Sequence, residues 1–452
     1  LMMLANGLVQ TVGQCVSRAV YFLNSGPAAA PSAAVYLGDL LGHHHLLSVD
    51  MGGTSFDVGL IRQGQIPTTT ESWVADQRVA IKMVDIESVG AGGGSIARID
   101  SLGLLKVGPE SAGADPGPAC FGRGQDATVT DADLVLGYIP DDNFLGGEMR
   151  LDADRARNAM TRVGQPLGLD PTAAAEAVFA TVNATMADQI IAVSTKRGHD
   201  VRECVMVVGG GGGPVHAGFI ADHLGIPKVV IPSVAALYSA FGMFAMDLGG
   251  DYARSYVGRA QDVDLEAMTR LYQEMEVEAR AAFRRIGVGE DAVMLGRTVD
   301  MRYIGQFHEV EIDVAGGDVS REKVDGAVDA FGRKHEDLYT FSMPWKEVEI
   351  LTLRVKAMTS NAPFRLREID AGGADPGAAL KRERRCRFDG QDVDAPVYDG
   401  GILRAGNVIS GPAIIEEATT TVVVPRTYRC TVDKYRSFLL TRRDGTGEEK
   451  MP

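Results

Sequence analysis

The sequence predicts an α/β fold with mixed sheets and a β-rich C-terminal region, and three stretches carry that expectation. In "LLSVDMGGTSFDVGLI", Leu46 to Ile61, two short apolar runs flank two glycines and two hydroxyls, which reads as strand, tight turn, strand. In "ECVMVVGGGGGPVHAGFIADHLGI", followed by "PKVVIPS", a buried strand, a glycine turn, a helix and a second strand succeed one another. Such a unit belongs in a parallel or mixed sheet. From Phe388 onward, β-branched runs alternate with turns, the pattern of a small β domain.

The remaining elements follow in order. Residues 1–150 alternate short apolar runs with glycine turns, among them "GAGGG" at Gly90–Gly94. The segment "GPESAGADPGPACFGRG", Gly108–Gly124, is expected to be neither helix nor strand, and a loop of that length inside a domain points to function. From Asp152 the pattern turns helical. Asp170-Pro171 starts a long, mostly buried helix that Lys196-Arg197-Gly198 ends. Leu265–Ile286 has helical spacing with many charges, and "VDMRYIGQFHEVEIDV" alternates like a strand pair. "DAGGADPGAALKRERRC", Asp370–Cys386, has the composition of a linker, and its basic run Lys381–Arg387 reads as solvated.

Charge and composition exclude some partners. The 45 Lys and Arg against 60 Asp and Glu leave a net charge of -15, which repels phosphate backbones and anionic membranes, so neither nucleic acid nor a membrane is an expected partner. No run approaches the roughly 18 unbroken apolar residues of a membrane span. The N-terminal residues lack the charged start and cleavage site of a signal peptide. Five scattered cysteines imply neither a disulfide framework nor a CxxC metal site, so a cytoplasmic setting is expected. An opening at Leu1 rather than methionine points to a piece of a longer protein or to a split one.

Two glycine clusters are candidate sites. Gly52 and Gly53 let backbone N–H groups approach an anion, and Thr54 and Ser55 add hydroxyl donors, as in a phosphate cradle. Asp50, at the strand end, is placed to hold a hydrated Mg²⁺ bridging phosphate oxygens, and Asp57 to orient a hydroxyl or a water. A plain tight hairpin has the same local pattern. Gly209, Gly210, Gly211, Gly212 and Gly213 lead from a strand into a helix near Pro214, a turn suited to a nucleoside. A close helix-on-sheet crossing is the other reading of those glycines. Glu110, Asp115 and Arg123 are candidates for the substrate side, and His216 either faces the cleft or sits satisfied in the core. Asp115 and Cys120 with a distant histidine form a weaker second metal candidate. His43, His44 and His45 read as a polar loop.

Taken together, "DMGGTSFDVGLI", "GAGGGSIARID", "VGPESAGADPGPACFGRG", "TVTDADLVLG", "KRGHDVRE", "VVGGGGGPVHAG" and "DMRYIGQFHEV" resemble, in order and over nearly the whole chain, the hydantoinase A and 5-oxoprolinase family. That family includes N-methylhydantoinase A and the ATP-binding subunits of acetone and acetophenone carboxylases. The resemblance implies an actin-like ATPase fold with ribonuclease-H-like lobes that bind ATP and Mg²⁺. It also implies domains over residues 1–255 (the ATPase), 256–375 (an α+β continuation) and 385–445 (β-rich).

The family usually carries two DxGGT turns. Only one stands here, flanked by "NSGPAA" and "GAGGGSI" as around the family's second turn, so the chain resembles the family without its N-terminal lobe. Phe56 stands where threonine is common, which removes one hydroxyl near the phosphates.

The activity so implied is that of an ATP-binding subunit of a cyclic amide hydrolase, one that activates the amide carbonyl by phosphorylation. A carboxylase subunit and a catalytically inactive scaffold are the alternatives. Expected partners are a hydantoinase B-like subunit, or a chain carrying the missing lobe, in a hetero-oligomer acting on a small molecule. The apolar runs of residues 1–45 are expected to be exposed where that lobe is absent.

Overall fold

The computed structural model describes residues 2–69, 72–74, 77–79, 81–359 and 365–443. Residues 444 and 445, the end of the expected terminal domain, lie outside the described residues. The chain divides into two compact units. One comprises Leu1–Leu4, Leu8–Leu23 and Met246–Pro363, and the other Ala5–Gly7, Asn24–Ala245 and Phe364–Pro452.

The larger unit is built on an eight-stranded sheet. Leu46–Met51 pairs antiparallel with Phe56–Ile61, which pairs antiparallel with Ile86–Val89. On its other side Leu46–Met51 pairs parallel with Val205–Gly209, and that strand pairs parallel with Lys228–Ile231. In chain order these five strands lie third, second, first, fourth, fifth across the sheet. Parallel pairs need crossovers, and helix Gly213–Leu224 supplies one of them.

Helix Pro171–Lys196, capped by Asp170, is long and apolar enough by length and composition to cross a membrane. Its residues Ala174, Val178, Val182, Met186 and Ile190 instead sink into the main hydrophobic core with Val49, Val58 and Val208. A long apolar helix that finds a sheet to cover is a core helix.

The C-terminal β-rich region divides its strands between two sheets. Phe438–Arg442 pairs antiparallel with Lys228–Ile231 and so extends the eight-stranded sheet through Tyr428–Val432 and Val408–Ser410. Leu380–Phe388, Gln391–Asp399, Ala413–Glu416 and Thr421–Val424 form a separate four-stranded sheet.

Two loop expectations are corrected here. Gly108–Ser111 belong to strand Leu105–Ser111, because Ser95–Ile99 lies alongside to take its backbone groups. The basic run is likewise a strand rather than a solvated linker. Lys381, Arg382 and Arg384 converge on Glu416, whose side chain is 1% exposed, so a buried acid draws these partly exposed side chains onto the sheet.

The smaller unit folds a six-stranded sheet whose strands include Leu248–Arg259, Met294–Tyr303, Val310–Val314 and Val348–Thr359. Helix Leu265–Arg285 is solvated on one side only, since Met268, Tyr272, Met275, Ala279 and Phe283 are buried in that unit's core. The predicted strand pair is Met294–Tyr303 with Val310–Val314.

The apolar runs of residues 1–45 are mostly covered. Met3, Leu4, Leu8 and Val9 are buried, as are Ala28–Ala30, while Val12, Val16 and Val20 are exposed. Pairing of Met2–Met3 with Val9–Gln10, and of Val9 with Leu248, provides the cover in the smaller unit.

Candidate functional site

The site grows out of the sheet's register. Five of the six residues in Leu46–Met51 are buried and Asp50 is half-buried, next to the strand's end. Asp50 is the direct cross-strand partner of Asp57 on one side and of Gly209 on the other. Because the second pairing is parallel, the turn after Asp50 and the turn after Gly209 leave the sheet at the same end. That places the two glycine clusters, far apart in sequence, next to each other.

The hairpin turn is closed by the Gly52 N–H, which donates to the Ser55 carbonyl at 3.1 Å. The loop Gly90–Gly94 braces it. The N–H groups of Gly93 and Gly94 donate to the carbonyls of Gly52 and Gly53 at 3.1 and 2.7 Å, and a Cβ on Gly92 would stand 2.7 Å from the Thr54 nitrogen. Gly93 is held in turn by Thr130, whose N–H and hydroxyl both donate to its carbonyl. Among the described residues the N–H groups of Gly53 and Thr54 have no hydrogen-bond partner. Two open amides and the exposed Thr54 are therefore what the turn offers an anion, one amide fewer at Gly52 than the sequence alone implies.

A cavity of about 230 Å³ opens beside Gly52 and Gly53. Gly211 and Gly212 form one wall; Phe121, Ile139, Phe144 and Val215 supply an apolar side; Asp133 contributes a carboxylate. The segment Glu417–Thr421 closes the rim. The Thr420 hydroxyl donates to the Gly211 carbonyl at 2.8 Å, and Arg436 donates to both carboxylate oxygens of Glu417 at 3.0 and 2.8 Å.

The glycine turn divides by role. A Cβ on Gly209 would lie 2.1 Å from the Tyr238 ring, and one on Gly210, where φ is +85°, would lie 1.9 Å from the Met51 carbonyl oxygen. Those two glycines are required by close packing, as is Gly213, whose added Cβ would meet Val208 at 2.9 Å. Gly211 and Gly212 alone of the five line the cavity, and a Cβ on Gly211 would approach nothing nearer than the Thr419 carbonyl oxygen at 3.7 Å.

Electrostatics concentrate on the two hairpin acids. Burial pushes the Asp50 carboxyl above its ordinary range while the Ser239 hydroxyl, donating at 2.7 Å, works against it. Burial also raises Asp57; the Ser88 hydroxyl that donates to it opposes the rise and the charge of Asp50 adds to it. A divalent cation would relieve both charges, and Asp50 and Asp57 are the carboxylates that would face it. Among the described residues there is no cluster of three or more His, Cys, Asp or Glu able to bind a metal.

The other expected residues lie elsewhere. Glu110 pairs with Arg98, and Asp115 with Arg123 at 3.4 Å, all exposed and none on the cavity. Cys120 is 1% exposed, and burial together with the nearby Asp131 charge pushes its thiol well up, so it is an inert core residue rather than a partner of Asp115 for a metal. All five cysteines are free and buried. His216 is fully buried behind Asp133 and does not reach the cavity. Residues missed from the sequence are Thr130, Asp133 and Glu417–Thr421. Glycine density had marked the loop Gly90–Gly94 without giving it a role, whereas "EEATTT" carries no local signal at all.

The sheet order and the paired turns at one sheet end define a ribonuclease-H-like lobe of the actin-like ATPase class, in a mixed α/β protein. Residues 1–251 match the family described as hydantoinase/oxoprolinase, and residues 259–443 match the hydantoinase/oxoprolinase C-terminal domain. The chain belongs to the hydantoinase/oxoprolinase family. It is 35% identical over 431 residues to the caprolactamase subunit alpha of Pseudomonas jessenii, an alignment covering 94% of this chain and 62% of that one. It is 34% identical to the acetophenone carboxylase gamma subunit of Aromatoleum aromaticum, covering 93% of this chain and 59% of that one. A solved nucleotide-free acetone carboxylase, described under the mechanism of ATP-dependent acetone carboxylation, superposes with a TM-score of 0.85 at 29% identity, over 98% of this chain and 64% of that one. The chain thus spans about three fifths of the length of these relatives.

Proposed function

We propose that this chain is the nucleotide-handling part of an ATP-dependent enzyme that opens a cyclic amide by phosphorylating its carbonyl oxygen. The observation that carries the reading is the register of Asp50 with Gly209, which sets a phosphate-type turn and a nucleoside-type turn on one cavity. An amide carbonyl is a weak electrophile, and O-phosphorylation turns it into an imidate that water can open. In this reading Gly53 and Thr54 donate to the phosphates, and Asp50 and Asp57 would hold Mg²⁺, which would supply charge neutralisation for phosphoryl transfer. Gly211 and Gly212 admit the nucleoside. A hydantoinase B-like subunit, or a chain carrying a further lobe, supplies the hydrolytic or opposing face, in a cytoplasmic hetero-oligomer.

The likeness to acetone and acetophenone carboxylase chains supports a second reading, in which the same site activates bicarbonate or a ketone enol for carboxylation. The third reading is an inactive scaffold.

The test is Asp50→Ala in the chain assembled with its partner. ADP formation should be lost while the melting temperature stays within a few degrees, and full activity in the variant would remove the hairpin from the mechanism. Products from caprolactam or hydantoin against those from acetone with bicarbonate separate hydrolase from carboxylase, and absence of nucleotide binding would establish the scaffold.

A further inference from the structure

Two carboxylates line the cavity, and they differ in what they have left to offer. Glu417 is held through both oxygens by Arg436. Asp133, 4% exposed, has one oxygen with no hydrogen-bond partner among the described residues, Oδ1. Its other oxygen, Oδ2, stands 3.5 Å from Nε2 of the fully buried His216, close but not hydrogen-bonded, so that Nε2 too has no hydrogen-bond partner among the described residues. The imidazole is fixed on its far side by a 2.8 Å hydrogen bond between Nδ1 and the Asn183 side chain, and by stacking on Phe179 with ring centroids 4.7 Å apart. The helix that carries Asp133, Val129–Val135, is fixed at its start by a capping box between Thr128 and Asp131, and the Asp131 carboxylate also accepts the N–H groups of Ala119 and Cys120. Asp133 is therefore a rigid, backed acceptor on an otherwise apolar stretch of wall. A buried acceptor left open is unfavourable until a donor reaches it.

We propose that Asp133, positioned by His216 and Asn183, reads the exocyclic amino group of an adenine base seated in this cavity. The inference rests on the reading that the cavity takes a nucleotide. A purine is flat and largely apolar on its faces, which suits Phe121, Ile139, Phe144 and Val215, and the bare backbone of Gly211 and Gly212 allows it close approach. A carboxylate oxygen left without a donor, on a side chain that lines the cavity, matches one amino N–H. Hypoxanthine and guanine bring a carbonyl oxygen to that position, acceptor against acceptor.

The experiment is calorimetry of Mg-ATP and Mg-ITP, which differ at that one group, on the chain assembled with its partner and on two variants of it. The wild type should bind ITP about 10- to 100-fold more weakly than ATP, the range expected when a buried polar group loses its partner. Asp133→Asn, nearly isosteric, can turn an amide N–H toward the inosine oxygen, so the preference should narrow or invert. His216→Gln, which acts only through Asp133, should lower the ratio in part. Equal affinity of the wild type for ATP and ITP, or an unchanged preference in Asp133→Asn, overturns the inference and leaves the nucleotide reading standing. Failure of the wild type to bind either nucleotide overturns both. The wild-type comparison needs no variant, so it decides the matter even if a substitution disturbs folding.

Discussion

Asp50 stands directly across the hairpin from Asp57, so two carboxylates share one face of the sheet at the end where the glycine turns emerge. Like charges in direct cross-strand register are unfavourable, and here burial raises both groups above the ordinary carboxylate range. A raised folded-state value means that the stabilisation it carries is fully present below the unfolded pKa and is lost as pH rises through the folded one. The unliganded hairpin is thus under more electrostatic strain at neutral pH than in acid. On the proposed reading, Mg-nucleotide binding would have the opposite sign, because it would need the ionised forms.

Affinity for Mg-ATP should therefore fall on acidification from about pH 8 to about pH 5, earlier than ordinary carboxylates would dictate. Asp57→Asn removes one of the two charges, so the acid limb should move to lower pH. Calorimetric titrations across that range check both, and a wild-type affinity flat down to pH 5 would detach these carboxylates from binding.

Gly211→Val and Gly210→Ala should fail in different ways. At Gly211 a side chain enters the cavity with little protein in its path, so nucleotide affinity should drop at least about tenfold with a small change in melting temperature. At Gly210 the positive φ and the Met51 carbonyl leave no room for even a methyl group, and the loss should be one of stability, about 2 kcal/mol or more. Chemical denaturation with parallel binding measurements separates them; equal affinity of wild type and Gly211→Val would return the whole turn to a packing role.

Thr420→Val should cost about 1 kcal/mol of stability by removing its hydrogen bond to the Gly211 carbonyl. If the Glu417–Thr421 segment borders the bound nucleotide, dissociation should also quicken. Stopped-flow release of a fluorescent ATP analogue measures this, and an unaltered off-rate would confine the rim to a structural part.

Glu416 offers a test away from the cavity. Burial works to raise its carboxyl, but the Lys381 hydrogen bond and the charges of Arg384 and Arg382 prevail and hold it below the usual range. That stabilisation is present above the unfolded pKa and is lost as pH falls through the lowered value. Glu416→Gln should destabilise by about 1–3 kcal/mol, less than a fully buried pair because its partners remain partly exposed. A urea midpoint equal to wild type would show the cluster to be neutral.

The sequence made the hairpin, the long helix and the β-glycine-α-β unit legible because each is written in local periodicity and turn residues. It did not show which glycines line the cavity and which are fixed by packing. That depends on Tyr238 and Met51 lying against Gly209 and Gly210, contacts made only by the folded sheet. Asp133 was hidden for a related reason: "TDAD" reads as a helix start, and only the buried His216 behind it and the cavity before it distinguish it from Asp131, whose carboxylate is used up in capping. The strand Leu380–Phe388 was mistaken for a linker because five basic residues look solvated until Glu416 is seen among them. Composition reports on charge, and only the fold reports on where a charge is answered.

The parallel pairing of Leu46–Met51 with Val205–Gly209 also carries a consequence for biosynthesis. Each strand reaches the ribosome exit separated by the whole helical segment that ends at Lys196, so a nascent chain can display the DxGGT hairpin long before the second turn exists. The cavity is therefore incomplete until the later strand docks, and its rim arrives later still with Glu417–Thr421. On the proposed reading, a nucleotide in the surrounding medium would stabilise chains that have completed this assembly, a selective check on finished molecules rather than an aid to starting them.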